Sequence, residues 1–167
     1  MGDAGDTAPS RASRRYGIEW NNHWLATPWL LLDADLALSH ARFTEDDPAG
    51  NYIPGAAERV VSLGATVTGR GPWFGQFQLR YFDPRPLVED NSQRSGSTPL
   101  AALRVGYRFG KDTKLALDVY NLFDRKASDI DYYYASRLQG EAPGAANDVH
   151  FHPVEPRSIR VTLATSF

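Results

Sequence analysis

Apolar and polar residues alternate one by one over several stretches of this chain. Tyr16, Ile18 and Trp20 alternate with Gly17, Glu19 and Asn21, and Leu30, Leu32, Ala34, Leu36 and Leu38 with Leu31, Asp33, Asp35, Ala37 and Ser39. Val61, Leu63, Ala65 and Val67 alternate with Ser62, Gly64, Thr66 and Thr68, and Trp73, Phe77, Leu79 and Tyr81 with Phe74, Gln76, Gln78 and Arg80. Leu103, Val105, Tyr107 and Phe109 then alternate with Arg104, Gly106 and Arg108, and Leu115, Leu117 and Val119 with Lys114, Ala116, Asp118 and Tyr120. The final stretch sets Ile159, Val161, Leu163 and Phe167 on one face and Ser158, Arg160, Thr162, Ala164 and Ser166 on the other. Successive side chains of a pleated backbone point to opposite faces, so each stretch predicts a strand with one greasy and one wet face. The total is about seven strands, each near the ~9 to 11 residues of a tilted membrane strand.

The connections are sorted by length. Short breaks fall at residues 23–28, 69–72 and 110–113, and long polar loops at 44–57, 82–98 and 124–156. Short periplasmic turns at one rim and long extracellular loops at the other are the layout of an outer-membrane barrel. Trp20, Trp24, Trp29, Trp73, Tyr107 and Phe109 are expected at the short-turn ends, with Phe43, Tyr81, Phe82 and Phe123 at the long-loop ends, as two aromatic girdles. The polar faces carry Glu19, Asp33, Asp35, Arg80, Arg104, Arg108, Lys114, Asp118 and Arg160. A packed core would not tolerate that charge, whereas a wet lumen would. The pattern therefore predicts an all-β fold: an antiparallel up-and-down transmembrane β-barrel segment, open or incomplete. The competing expectation is a soluble two-sheet β-sandwich binding module, with these charges on its solvent faces.

Composition narrows the function. The chain has 167 residues, a net charge of −2 and no cysteine, which leaves no basic surplus for nucleic acid and no thiolate chemistry or disulfide. No apolar run approaches the ~20 residues of a spanning helix. The mean hydropathy of −0.43 does not oppose a barrel, because half of each barrel strand faces a polar interior. Residues 1–10 show no apolar core followed by a cleavage pattern, so no export signal is expected within them. No nucleophile elbow, phosphate-binding loop or zinc-protease motif occurs, and neither an enzyme nor a cofactor is expected. The loop carrying Asp129, Asp131, Tyr132, Tyr133 and Tyr134, and further on His150 and His152, offers carboxylates, phenols and imidazoles for a ligand, a set whose carboxylates and imidazoles suit a divalent transition metal. The same residues also read as ordinary loop packing.

An ordered set of short motifs then resembles one family. Asn121-Leu122-Phe123-Asp124, after an alternating strand and before a long loop, resembles the penultimate-strand motif of TonB-dependent outer-membrane receptors. Pro156-Arg157, opening a last strand that ends in Phe167, resembles their C-terminal signature. Arg14 to Glu19, Ile53-Pro54-Gly55-Ala56 and Arg85-Pro86-Leu87 sit where such receptors carry similar segments. The resemblance implies a barrel of about 22 strands closed by an N-terminal plug. It also implies uptake of a scarce ligand, such as a metal chelate, siderophore or cobalamin, powered by the inner-membrane TonB complex.

Against that pattern the sequence offers only about seven strands and neither plug nor TonB-contacting box, so the expected role is a C-terminal piece of the barrel. Residues 1–13 would be a disordered remnant of an extracellular loop and 14–167 the last strands. An odd strand count, which puts the two ends on opposite sides of the membrane, agrees with a severed barrel. The implied partners are outer-membrane lipid, the outer-membrane assembly machinery, the plug with the remaining strands, and TonB only through the missing N-terminal part. Ile159, Val161, Leu163 and Phe167 would then face lipid and serve as the assembly signal in the outer membrane of a Gram-negative bacterium. A small autonomous outer-membrane barrel with a structural or adhesive role is the alternative, and it would need an eighth strand from the amino terminus.

Overall fold

The computed structural model describes residues 11–137, 139–141, 144 and 146–166. Among them are nine strands and no helix: β1 (Ser13–Thr27), β2 (Leu30–Phe43), β3 (Arg59–Arg70), β4 (Trp73–Phe82), β5 (Thr98–Phe109), β6 (Thr113–Tyr120), β7 (Ser128–Ser136), β8 (Ala146–Pro153) and β9 (Ser158–Thr165). Seven of these make one sheet in the order β1-β2-β3-β4-β5-β6-β9, and β7 with β8 makes a separate hairpin inserted between β6 and β9. Every joint is antiparallel. The sheet stays open, since β1 pairs only with β2 and β9 only with β6.

Register turns the local alternations into two continuous surfaces. Trp20 lies opposite Leu36, Leu36 opposite Val61, and Val61 opposite Tyr81. Further along, Phe77 faces Leu103, Leu103 faces Val119, and Val119 faces Ile159. A one-residue slip at any joint would send half of these side chains to the other face, so the apolar pattern itself pins the register. Among the described residues no second sheet covers this surface, and large side chains such as Ile18, Trp24, Val105, Leu117 and Val161 stay exposed. That is not a sandwich. An apolar surface spread over seven strands exceeds what a soluble monomer leaves bare.

Three expectations need correction. The first short break does not begin at residue 23: β1 continues to Thr27. The run Asn21-Asn22-His23 hides the alternation, but His23 pairs opposite Asp33 and hydrogen-bonds to its carboxylate. Trp20 consequently sits midway along β1 rather than at its short-turn end. The 124–156 segment is not all loop, since it folds as β7 and β8. At the short-turn end, the expected aromatic cluster does form: Trp73 meets Tyr107 edge-on at 4.9 Å and Tyr107 meets Phe109 at 4.8 Å.

The long loops hold buried residues of their own beside those of the sheet, such as Ala41 and Ala101. Pro86 is fully buried, and Ala56, Leu87 and Ser95 are nearly so. The loops after β2 and β4 are stitched together by backbone hydrogen bonds, Tyr52 N–H to Glu89 C=O at 2.9 Å and Gly55 N–H to Pro86 C=O at 2.8 Å. Gly50 makes this approach possible: its φ is +103°, and a Cβ there would overlap the Glu89 carbonyl.

Candidate functional site

The polar face of the sheet is the first candidate surface. Glu19, Asp33 and Asp35 lie on it from β1 and β2, and Arg80, Arg104, Arg108, Lys114, Asp118 and Arg160 from β4, β5, β6 and β9. One row across it reads Gln76, Arg104, Asp118, Arg160. Arg104 Nε donates to Asp118 Oδ1 at 2.5 Å, and Asp118 is only 5% exposed. Such a pair holds only while both members remain, because removing one strands the other's charge. Arg160, although opposite Asp118 in register, places its guanidinium over the Tyr120 ring at 5.5 Å, and Arg108 lies over Phe74 at 4.7 Å. Among the described residues, clefts open on this face. One of about 390 Å³ is lined by Gln78, Arg80, Leu100, Tyr120, Asn121 and Glu155, and one of about 170 Å³ by Gln76, Gln78, Arg104, Asp118 and Tyr120.

The loops after β2 and β4 form a second, rigid surface held by arginines. Glu58 accepts from Arg94 at 2.6 Å and from Arg42 at 3.1 Å. Burial pushes the Glu58 carboxyl upward, but the hydrogen bonds and charges of Arg94 and Arg42 outweigh it and hold the group below its ordinary value of 4.5. Arg11 bonds Glu89 at 2.6 Å and Asp47 at 3.3 Å, and Arg42 lies over the Tyr52 ring at 3.7 Å. These pairs bridge strand ends to both loops, so each anchors more backbone than an isolated surface pair does.

The β7–β8 hairpin is the third. Ile130 lies opposite His152, Tyr132 opposite His150, and Tyr134 opposite Asp148, so Tyr132, Tyr134, His150 and His152 share one face. Tyr134 and His150 stack with centroids 4.0 Å apart. Tyr133 and Asp131 lie on the other face, and the Asp131 carboxylate, 3% exposed, is held by Arg85 at 3.3 Å. The Asp129 carbonyl accepts from the same guanidinium at 3.2 Å. Of the seven loop candidates, Tyr132, Tyr134 and His152 are exposed, His150 is half-buried with its Nε2 shielded from solvent, and the Asp131 carboxylate is spent on anchoring. Among the described residues, no group of three or more His, Asp or Glu side chains is placed to hold a metal ion.

Sequence reading missed what holds the hairpin. Asn121, at φ +46°, donates from Nδ2 to the carbonyls of Arg125 and Glu155, both at 3.0 Å, and its Oδ1 accepts from Arg125 N–H at 2.8 Å. Asp124 Oδ1 accepts from Arg157 N–H at 3.0 Å. The Asn121 to Asp124 motif therefore ties the departing and returning chain together at the base of the insertion. Asparagine's tolerance of left-handed backbone was the available signal. Of the terminal strand, Ile159, Val161 and Leu163 share the exposed apolar face, while Phe167 lies outside the described residues.

The geometry agrees with comparison to known proteins. The family model for the TonB-dependent receptor-like β-barrel matches residues 4–122. The chain is similar in fold to the ferric yersiniabactin uptake receptor FyuA from Yersinia pestis (TM-score 0.69, 19% identity, 93% of this chain and 24% of that one). It is likewise similar to the closed form of the ferric-catecholate import receptor Fiu from E. coli (TM-score 0.72, 20% identity, 93% and 21%). The copper transporter OprC also matches (TM-score 0.65, 20% identity, 93% and 24%). The chain thus spans a quarter or less of the length of each of these structures. No curated protein matches it by sequence.

Proposed function

We propose, since this chain belongs to the TonB-dependent receptor-like β-barrel family, that it forms the C-terminal wall of an outer-membrane receptor that takes up a scarce ligand such as a metal chelate, siderophore or cobalamin. One observation carries this reading: a bare apolar face and a charged face run back to back across all seven strands of an open sheet. In the receptor the apolar face meets lipid. Glu19, Asp33, Asp35, Arg80, Arg104, Arg108, Asp118 and Arg160 then line the lumen, facing the plug that the rest of the receptor supplies. The loops after β2 and β4 and the β7–β8 hairpin stand on the outside, where the exposed Tyr132, Tyr134 and His152 are offered to an arriving ligand and His150 backs Tyr134 by stacking. TonB acts through the plug and does not touch this wall.

The role is transport rather than catalysis, in keeping with a family of transport receptors. Ile159, Val161 and Leu163, with Phe167 beyond the described residues, present the apolar strand that the outer-membrane assembly machinery reads. The test is the behaviour of the purified chain. In a zwitterionic detergent it should remain dispersed and show β-rich circular dichroism, and on detergent removal it should aggregate. A detergent-free, monodisperse monomer that melts cooperatively would overturn the membrane reading.

A further inference from the structure

Charge on the polar face is sorted by strand. Glu19 lies on β1 and Asp33 and Asp35 on β2, where His23 of β1 hydrogen-bonds to Asp33, and Arg15, toward the long-loop end of β1, is the exception on this acidic side. β3 turns Val60, Ser62, Gly64 and Thr66 to the face, none of them charged. Arg80, Arg104, Arg108, Lys114 and Arg160 follow on β4, β5, β6 and β9, with Asp118 among them. Asp33 and Asp35 stand three strands from Arg104 and Arg108, about 14 Å at ~4.8 Å per strand and beyond the ~8 Å screening length of physiological salt. Asp118 offsets little of the basic side. It accepts from Arg104 through Oδ1, its Oδ2 has no hydrogen-bond partner among the described residues, and Arg160, opposite it in register, turns to Tyr120 instead. Among the described residues Arg80, Arg108, Lys114 and Arg160 form no ion pair, and all four are exposed. Arg108 and Lys114 lie directly opposite each other, an arrangement that repels unless an anion sits between them.

We propose that this β4-β5-β6-β9 stripe is a binding track for a small polyanionic solute, one that carries two or more carboxylates or phosphates. Concavity accompanies charge at three levels. The cleft of about 390 Å³ near the hairpin base holds Arg80, the one of about 170 Å³ holds Arg104, and another of about 390 Å³, toward the short-turn end, holds Arg108, Lys111 and Lys114 beside Asp112. Arg108 is four residues beyond Arg104 on β5, and Leu100, the register partner of Arg80, is four before it, so cations recur about every 14 Å along the strands. Clefts of a few hundred Å³ with cations at their mouths suit the separate anionic groups of a small molecule, whereas a covering domain calls for a flat patch. Arginine forks and a lysine point charge are the donors that carboxylates and phosphates take. The proposal rests on the membrane-wall reading, and it gives the solute's charge and the side of the lumen that the solute follows.

The full chain, dispersed in zwitterionic detergent in a phosphate-free buffer of low salt, is titrated calorimetrically with inorganic pyrophosphate. Lys114→Gln combined with Arg160→Gln removes two charges from the stripe, and Arg14→Gln combined with Lys126→Gln removes two exposed charges elsewhere. Pyrophosphate should bind the native chain and bind it less tightly as salt is added, and the stripe pair should lose about tenfold in affinity while the control pair changes less than about twofold. Equal losses in the two pairs would reduce the effect to overall charge and overturn the track. So would a dispersed, β-rich chain that binds no pyrophosphate, a result that leaves the membrane-wall reading standing. A chain that takes a hexaglutamate peptide but not pyrophosphate would make the stripe a protein-docking face and overturn the solute assignment. Pyrophosphate held at the stripe by a detergent-free monomer would support the anion site and discard the wall.

Discussion

Single residues decide whether the external loops are a platform or a tangle. Gly50 combines φ +103° with the Glu89 carbonyl where a Cβ would go, while Gly55, at φ +76°, has open space around it. Gly50→Ala should therefore cost roughly 2 to 4 kcal/mol and Gly55→Ala only about 1 kcal/mol, the cost of left-handed backbone alone. Limited proteolysis of residues 44–58 reads the difference, with fast cleavage expected in the first variant and near wild-type protection in the second. Glu58 gives the platform a pH dependence. Its carboxyl is held below 4.5 in the folded chain by Arg94 and Arg42, so its contribution is fully present above that value and is lost as pH falls through the folded-state value. Protease protection of the loops should drop in acid for the native chain, and Glu58→Gln should flatten that acid limb while lowering protection at neutral pH. Neither role was legible in the sequence, where Gly50 and Glu58 are unremarkable loop residues. Both arise from contacts between loops far apart in the chain.

At the scale of elements, alternation carried the seven strands of the main sheet, because each presents one polar face and one apolar face. It failed where that contrast is blurred. Three consecutive tyrosines, Tyr132 to Tyr134, put a phenol on both faces of β7 and erase the period, and Asn21-Asn22-His23 does the same within β1. The hairpin also lies apart from the sheet, so no shared core forces a binary pattern on it. Its attachment depends on Asn121, whose side chain makes three hydrogen bonds to backbone. Asn121→Ala should cost about 1 to 3 kcal/mol locally by removing three part-buried hydrogen bonds at the base of the hairpin. Protease nicking between residues 121 and 157 should rise at least tenfold, while the circular dichroism of the main sheet stays unchanged. Equal protection in the variant would show that Arg85, through Asp131, carries the hairpin instead.

For the whole molecule, the family and the open seven-stranded sheet were readable from the chain, since the register of a two-faced sheet is encoded in every strand. Which residues of the polar face and loops meet a ligand was not, because that depends on how separate elements converge. The central claim is that the two faces of one strand see different solvents, lipid and lumen. Val161 and Thr162 are neighbours on β9 and point to opposite faces, so they isolate that difference from every other variable. In the complete receptor, Val161→Arg should cost roughly 2 to 4 kcal/mol by placing a charge in hydrocarbon, while Thr162→Arg, beside Arg160 on the charged face, should be tolerated. The measurement is the heat-modifiable electrophoretic band together with surface abundance in the outer membrane. Loss of the folded band and of surface receptor for Val161→Arg, with near wild-type levels for Thr162→Arg, is the predicted result. Equal tolerance of the two arginines, or greater damage from Thr162→Arg, would contradict it.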